Sequence, residues 1–279
     1  MKKIIYCLIL FTLVFAVSCK DTPKQDVEDF THTDEMPPKV KGEEVSYATD
    51  STNLKGYIAY NENMEGKRPA VLIVHEWWGH NDYVRERADM LAELGYTAMA
   101  VDMYGDGKLA EHPQDAGKFA GAVFANLPEA TARFNAAIEL LKKHETVAAD
   151  QMAAIGYCFG GSVVLTMANS GADLDAVAAF HSGVGLPVMP NDQLKARVLV
   201  CNGDADPFID KNVVATYTKA MDSIGAKYEY ISYPDVLHSF TSKSADDNAK
   251  KFDLPLAYNA EADAKSWQSL RDLLNEVFK

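Results

Sequence analysis

Beyond residue 42, short apolar runs alternate with segments of helical period, which predicts an α/β fold: a mostly parallel sheet covered by helices on both faces. Glu44 to Thr49 and Leu54 to Tyr60 read as an opening pair of strands. Ala70 to His75 is a continuous run of the kind needed by a parallel strand buried on both sides. From Asp82 to Leu94, Val84, Ala88, Leu91 and Ala92 share one helical face, and Gly95 stands where a helix stops. Tyr96 to Val101 returns as strand. Two helices are predicted next, the second opening at Pro128 and burying Ala130, Phe134, Ala137, Ile138 and Leu141. Strands follow at Met152 to Tyr157, Ala176 to Phe180, Val198 to Cys201 and Tyr228 to Tyr233, with Val213 to Ile224 as a crossover helix. A closing helix from Glu261 to Phe278 buries Trp267, Leu270, Leu274 and Val277.

The first 42 residues follow other rules. Lys2 and Lys3 precede an apolar stretch from Ile4 to Val17, and Ser18 is a small residue before Cys19, which together predict a secretion signal over residues 1–18. The stretch is short for a spanning helix, and Cys19 sits where a bacterial lipoprotein carries its acylated cysteine. The expectation is an exported chain anchored to a membrane only through lipid on Cys19, with a periplasmic or secreted form as the alternative. Residues 19–42 are polar, hold Pro23, Pro37 and Pro38, and read as a tether ahead of a domain over residues 43–279.

At 48% hydrophobic content, 279 residues suffice for one large core. The formal charge of −13 becomes more negative still once Lys2 and Lys3 leave with the signal, which argues against nucleic acid as a partner. Of the four cysteines, Cys7 lies in the signal and Cys19 is the lipid site. Cys158 and Cys201 each end an apolar strand-like run near glycine, a setting that suits catalysis or core better than a disulfide.

Gly156-Tyr157-Cys158-Phe159-Gly160-Gly161 lies between the strand ending at Tyr157 and a helix-forming run, Ser162 to Asn169. This is a nucleophile elbow with Cys in place of Ser: a sharp strand-to-helix turn needs small flanking residues and pushes the residue between them into the site. A helix beginning at Phe159 aims unpaired N–H groups at that side chain, favouring both a thiolate and an oxyanion there. A base and an orienting acid should follow in the order acid, then His. His238, in Tyr233-Pro234-Asp235-Val236-Leu237-His238, is the base, because His181 precedes any candidate acid. Asn202-Gly203-Asp204-Ala205-Asp206-Pro207 supplies the acid, Asp206 ahead of Asp204. Both segments follow strands at their carboxyl ends, where open α/β sheets build their sites.

These residues, with His75-Glu76-Trp77-Trp78-Gly79, Val101-Asp102-Met103-Tyr104-Gly105, Phe208 and His238-Ser239-Phe240, resemble the dienelactone hydrolases, cysteine-dependent enzymes of the α/β-hydrolase fold, from Glu44 to the C-terminus. The resemblance implies hydrolysis of small esters or lactones with no cofactor or metal. It implies that Glu76 accepts the thiol proton as substrate binds, that the Trp77 N–H joins that of Phe159 as an oxyanion donor, and that Trp78, Ser239 and Phe240 contact substrate. Asp102 reads as structural, since it falls outside triad order. Family members acting on the carboxylated dienelactone carry Arg four residues after the His, whereas this chain has Ser242, leaving Lys243, Lys211, Arg85 or Arg87 to supply any cation.

Two other readings meet objections in the residues themselves. A ligand-binding lipoprotein without catalysis must explain why all members of a triad stand in order, and a metal site at His75, Glu76 and His80 lacks the helical spacing of zinc hydrolases. Ser242 to Asn259 is left as a segment able to cover the site.

Overall fold

The computed structural model describes residues 37–278, so the signal, Cys19 and most of the tether lie outside the described residues. One sheet organises the domain. Its strands are β1 (Val40–Ala48), β2 (Asn53–Asn61), β3 (Arg68–Val74), β4 (Thr97–Val101), β5 (Val147–Tyr157), β6 (Ala176–Phe180), β7 (Arg197–Gly203) and β8 (Tyr228–Tyr233). They lie in the order β1-β2-β4-β3-β5-β6-β7-β8; β1 and β2 are antiparallel to each other, β2 is antiparallel to β4, and the rest run parallel. The α/β-hydrolase architecture expected from the sequence is the one observed.

Strand period divides the core in two. Along β3, Ala70, Leu72 and Val74 point to one face, where they meet Phe134 and Leu141 of α3 (Leu127–Lys142), Val163 and Met167 of α4 (Phe159–Asn169), and Tyr217 of α5 (Lys211–Ser223). Val71 and Ile73 point to the other, onto Val84 and Leu91 of α1 (Asp82–Glu93) and Leu270 and Leu274 of α7 (Ala260–Val277). The remaining helices are α2 (Pro113–Ala125) and α6 (Ala245–Phe252).

Chain order along the sheet reverses between β3 and β5, which are hydrogen-bonded neighbours. A crevice at the carboxyl ends of strands opens at such a reversal. The loops after β3, β5, β7 and β8 therefore gather Glu76, Cys158, Asp206 and His238 from distant parts of the chain.

Two strand starts and the buried face of the closing helix differ most from the sequence reading. Strand β1 starts at Val40, inside the expected tether, because Val40 to Glu43 pair through their backbone with Asn61 to Ile58 although Lys41, Gly42 and Glu43 give no apolar signal. Strand β5 starts at Val147, which pairs with Arg68 ahead of an irregularity in register, and its polar Asp150 and Gln151 hid that extension. In the closing helix, Trp267 and Val277 are only partly buried, and Ala262, Ser266 and Leu273 share the core face instead.

The segment after His238 takes definite form. Helix α6 places Phe252 against Trp78 with ring centroids 5.7 Å apart, and the chain then returns along the His238 loop, with Ala257 N–H donating to the His238 carbonyl at 3.2 Å.

Asp102 has the structural role expected of it. Its Oδ1 accepts from the N–H groups of Tyr104 and Gly105 at 2.8 Å, and its Oδ2 from Gly107 at 2.8 Å and Lys55 at 3.2 Å, all in a fully buried position. Asp102→Ala strands these donors and is predicted to lower the unfolding free energy by about 3–5 kcal/mol. Urea denaturation of the two proteins checks it; a loss below about 1 kcal/mol contradicts this role.

Candidate active site

Cys158 joins β5 to α4 in the left-handed region, φ 53° and ψ −118°, a conformation that costs a non-glycine residue about 1–2 kcal/mol. Close packing over-determines it. A Cβ on Gly160 would lie 2.2 Å from the Val74 carbonyl oxygen, and one on Gly156 would lie 2.2 Å from the Gly160 carbonyl oxygen, so neither position admits a side chain. The Cys158 N–H donates to the Phe180 carbonyl at 2.9 Å, which ties the turn to β6. The thiol is left half-buried at the start of a helix whose own residues are nearly all buried. The Phe159 N–H opens that helix, and neither it nor the Trp77 N–H has a protein acceptor among the described residues.

His238 has the Cys158 sulfur as an electrostatic neighbour, and its Nδ1 is 2.6 Å from Oδ2 of Asp206, whose side chain is fully buried. The other oxygen, Oδ1, accepts the Phe208 N–H at 2.8 Å. Burial works against a charged imidazolium, but the Cys158 sulfur and the Asp206 carboxylate outweigh it and push the His238 pKa up to about 10. Asp204 faces away and pairs with exposed Lys211 at 3.1 Å. Cys201 is equally remote in chemistry: it is a buried free thiol of the core, its pKa pushed up to about 12 by burial, with the Tyr233 hydroxyl 3.6 Å from its sulfur.

Glu76 is buried next to this group. Its Oε1 accepts from the Ser239 hydroxyl at 3.1 Å, and burial raises its pKa despite His238, Ser239 and Arg87 nearby. Neither Arg85 nor Arg87 pairs with it. Arg85 pairs with Glu44, and Arg87 spans Asp263 and the Thr241 carbonyl, at 2.8 and 2.7 Å. His75 and His80 do not converge on a metal position with it, because both rings bond to backbone groups, and no metal-binding cluster occurs among the described residues.

The three expected substrate contacts fare differently. Phe240 is fully buried, edge-on to His181 and Tyr233, so the expectation that it touches substrate is corrected: it fills the core behind the His238 loop. Trp78 is also buried, packed among Trp77, Ala110, Ala116 and Phe252. Ser239 is buried too, with φ 57° and its hydroxyl on Glu76. Phe208, named in the sequence only as part of a motif and given no role, is 52% exposed with its ring 5.1 Å from that of His238. His181, which chain order excludes as the base, is nonetheless beside it: it is buried just past the end of β6 with φ 40°, its ring 5.2 Å from His238 and its Nε2 2.7 Å from the Thr241 hydroxyl. Position just past a strand's carboxyl end was the available signal for His181.

Comparison with known proteins places this arrangement. The family model described as "Dienelactone hydrolase family" matches residues 54–278. Among curated proteins, the chain is 27% identical over 211 residues to "Protein usf" of Aquifex pyrophilus, spanning 74% of this chain and 90% of that one. It is 29% identical over 203 residues to "Probable 2-oxo-3-(5-oxofuran-2-ylidene)propanoate lactonase" of a Bradyrhizobium species, spanning 68% of this chain and 81% of that one. Among solved structures, "m3DLH" superposes with a TM-score of 0.81 at 36% identity, over 86% of this chain and 99% of that one. A dienelactone hydrolase-like promiscuous phosphotriesterase from metagenomic libraries superposes with a TM-score of 0.80 at 30% identity, with the same coverage. A family match across most of the domain, on a fold that carries a cysteine elbow at its strand reversal, shows that the chain belongs to the dienelactone hydrolase family and is a carboxylic ester hydrolase.

Proposed function

We propose that the protein hydrolyses small esters or lactones by acyl transfer through Cys158. The observation that carries this reading is a thiol fixed at a left-handed elbow beside His238, whose other ring nitrogen is held 2.6 Å from buried Asp206.

The steps follow from the groups present. As substrate binds, the thiol proton passes to Glu76, whose burial favours the protonated carboxyl. Cys158 Sγ bonds to the carbonyl carbon, and the resulting oxyanion rests on the N–H groups of Phe159 and Trp77. Collapse breaks the C–O bond while His238 protonates the departing oxygen, which for a lactone stays attached to the acyl group. Water, deprotonated by His238, then attacks the thioester; the C–S bond breaks, the carboxylic acid is released, and the departing sulfur takes its proton back from Glu76, which restores the starting state. Asp206 orients the imidazole and stabilises its charged form throughout.

Cys158→Ala is predicted to abolish ester hydrolysis with the fold intact, whereas Cys201→Ala keeps most activity, because Cys201 lies in the core away from His238. Asp206→Asn is predicted to lower kcat by about 10²–10⁴-fold and Asp204→Asn by no more than about threefold. Assays of the four variants on an aryl ester decide it; equal losses within either pair overturn the assignment.

The substrate is expected to be uncharged near the carbonyl. Three of the four cations considered for holding a carboxylate are already engaged: Arg85 with Glu44, Arg87 with Asp263, Lys211 with Asp204. Ser242 is buried with its hydroxyl on Ser244, and the formal charge of −13 adds long-range repulsion of anions. For paired neutral and carboxylated esters of one alcohol, kcat/KM is predicted to favour the neutral ester, the gap narrowing as salt is raised. A strong preference for the carboxylated member shows that a further cation holds it and refutes this substrate class.

A further inference from the structure

The peptides on either side of Trp77 are held at their carbonyl ends by two side chains that take no part in acyl transfer. The His75 imidazole is completely buried, with Nδ1 2.5 Å from the Glu76 carbonyl oxygen and Nε2 3.3 Å from the Met103 backbone nitrogen. The Met103 N–H can only donate, so Nε2 accepts and the ring proton sits on Nδ1, aimed at the Glu76 carbonyl. The Gly79 N–H donates to the same oxygen at 3.2 Å. One peptide further on, the Tyr104 hydroxyl donates to the Trp77 carbonyl at 2.9 Å, and its ring stands edge-on to His75 with centroids 4.6 Å apart.

A trans peptide points its N–H opposite to its C=O. The carbonyl that His75 and Gly79 hold belongs to the Glu76–Trp77 peptide, so fixing that oxygen fixes the direction of the Trp77 N–H. Tyr104 holds the next peptide and stops Trp77 from swinging about its own dihedrals.

We propose that His75 and Tyr104 are positioning residues that hold the Trp77 N–H in the direction needed to receive an oxyanion. The inference rests on the reading of Cys158 as nucleophile and of the Trp77 N–H as an oxyanion donor. An apolar residue of similar size would fill the space under Tyr104 and Phe159, but it could neither donate to Glu76 nor accept from Met103. Burial also holds the imidazole neutral, its pKa pushed down to about 4, so the arrangement keeps one proton pattern over the working range of an esterase. The bond to Met103 links the end of β3 to the end of β4, so the donor is referenced to two strands of the sheet rather than to one loop.

The test uses the full-length enzyme and the variants His75→Phe, His75→Gln and Tyr104→Phe. Three quantities are read: kcat and KM on an aryl ester, inhibition by a simple aliphatic aldehyde, and the rate of Cys158 alkylation by iodoacetamide. The aldehyde adds the thiol across its C=O, so its oxygen occupies the oxyanion position; alkylation needs no oxyanion donor. His75→Phe is predicted to lower kcat by about 10–100-fold and to weaken the aldehyde in parallel, with KM within about threefold of wild type. Alkylation should stay within about twofold of wild type, whereas a merely structural role would disturb it together with kcat. Tyr104→Phe, which keeps the ring and loses one hydroxyl, should show the same pattern at about 3–30-fold. His75→Gln retains a donor and an acceptor and should recover most of the loss. If both Phe variants keep kcat and aldehyde affinity within about twofold while Cys158→Ala is inactive, this inference fails and the acyl-transfer reading stands. Activity surviving in Cys158→Ala would instead remove the reading beneath it. Should His75→Phe not fold, Tyr104→Phe decides alone, since a buried hydroxyl can be removed without disturbing the ring packing.

Discussion

The site depends on one steric constraint, the contact between the end of β3 and the start of α4 across Gly160. With a side chain there, a Cβ would meet the Val74 carbonyl oxygen at 2.2 Å, so only glycine lets the helix come so near the strand. The chain between Gly156 and Gly160 must turn sharply enough to hold Cys158 at positive φ, which lifts the thiol out of the sheet. Glu76 and Trp77 follow His75 at the end of β3, the strand end against which the start of α4 packs.

The surrounding loops share this economy. Cys158, His181 and Ser239 all have positive φ; the first two directly follow β5 and β6, and Ser239 lies in the loop after β8. Strain of about 1–3 kcal/mol at each is held by the two halves of the core, which are well buried from β3 through β7. Burial then sets the electrostatics. It keeps His75 neutral and raises Glu76, while His238 rises because its two neighbours, Cys158 and Asp206, favour the charged ring more than burial opposes it. Groups within one small volume are thereby driven to different protonation states, as acid–base chemistry near neutral pH requires.

Much of this was legible in the sequence, for physical reasons that differ by element. Buried parallel strands such as β3 and β6 are nearly unbroken apolar runs, and α3 shows its core face by period alone, down to Phe134 and Leu141. The polar starts of β1 and β5 were not legible, because backbone pairing rather than side-chain burial carries them. At the site, Cys158 and His238 stood out because an elbow and a strict chain order constrain them locally. The choice of Asp206 over Asp204 became a matter of geometry only once Lys211 was seen against Asp204. Phe240 was misread because adjacency to His238 says nothing about direction: with Ser239 at positive φ, the next side chain turns into the core. The roles of His75 and Tyr104 could not be read at all, since both act on backbone carbonyls and leave no pattern of residue types.

Acyl transfer through Cys158 requires a covalent acyl-enzyme on that sulfur. Rapid acid quenching during hydrolysis of an aryl ester, followed by peptide mass spectrometry, measures this directly. The substrate's acyl mass is expected on the peptide containing Cys158, decaying at the rate at which acid is released. Sustained turnover with that peptide unmodified and the acyl mass on another residue, such as Ser162, would contradict it.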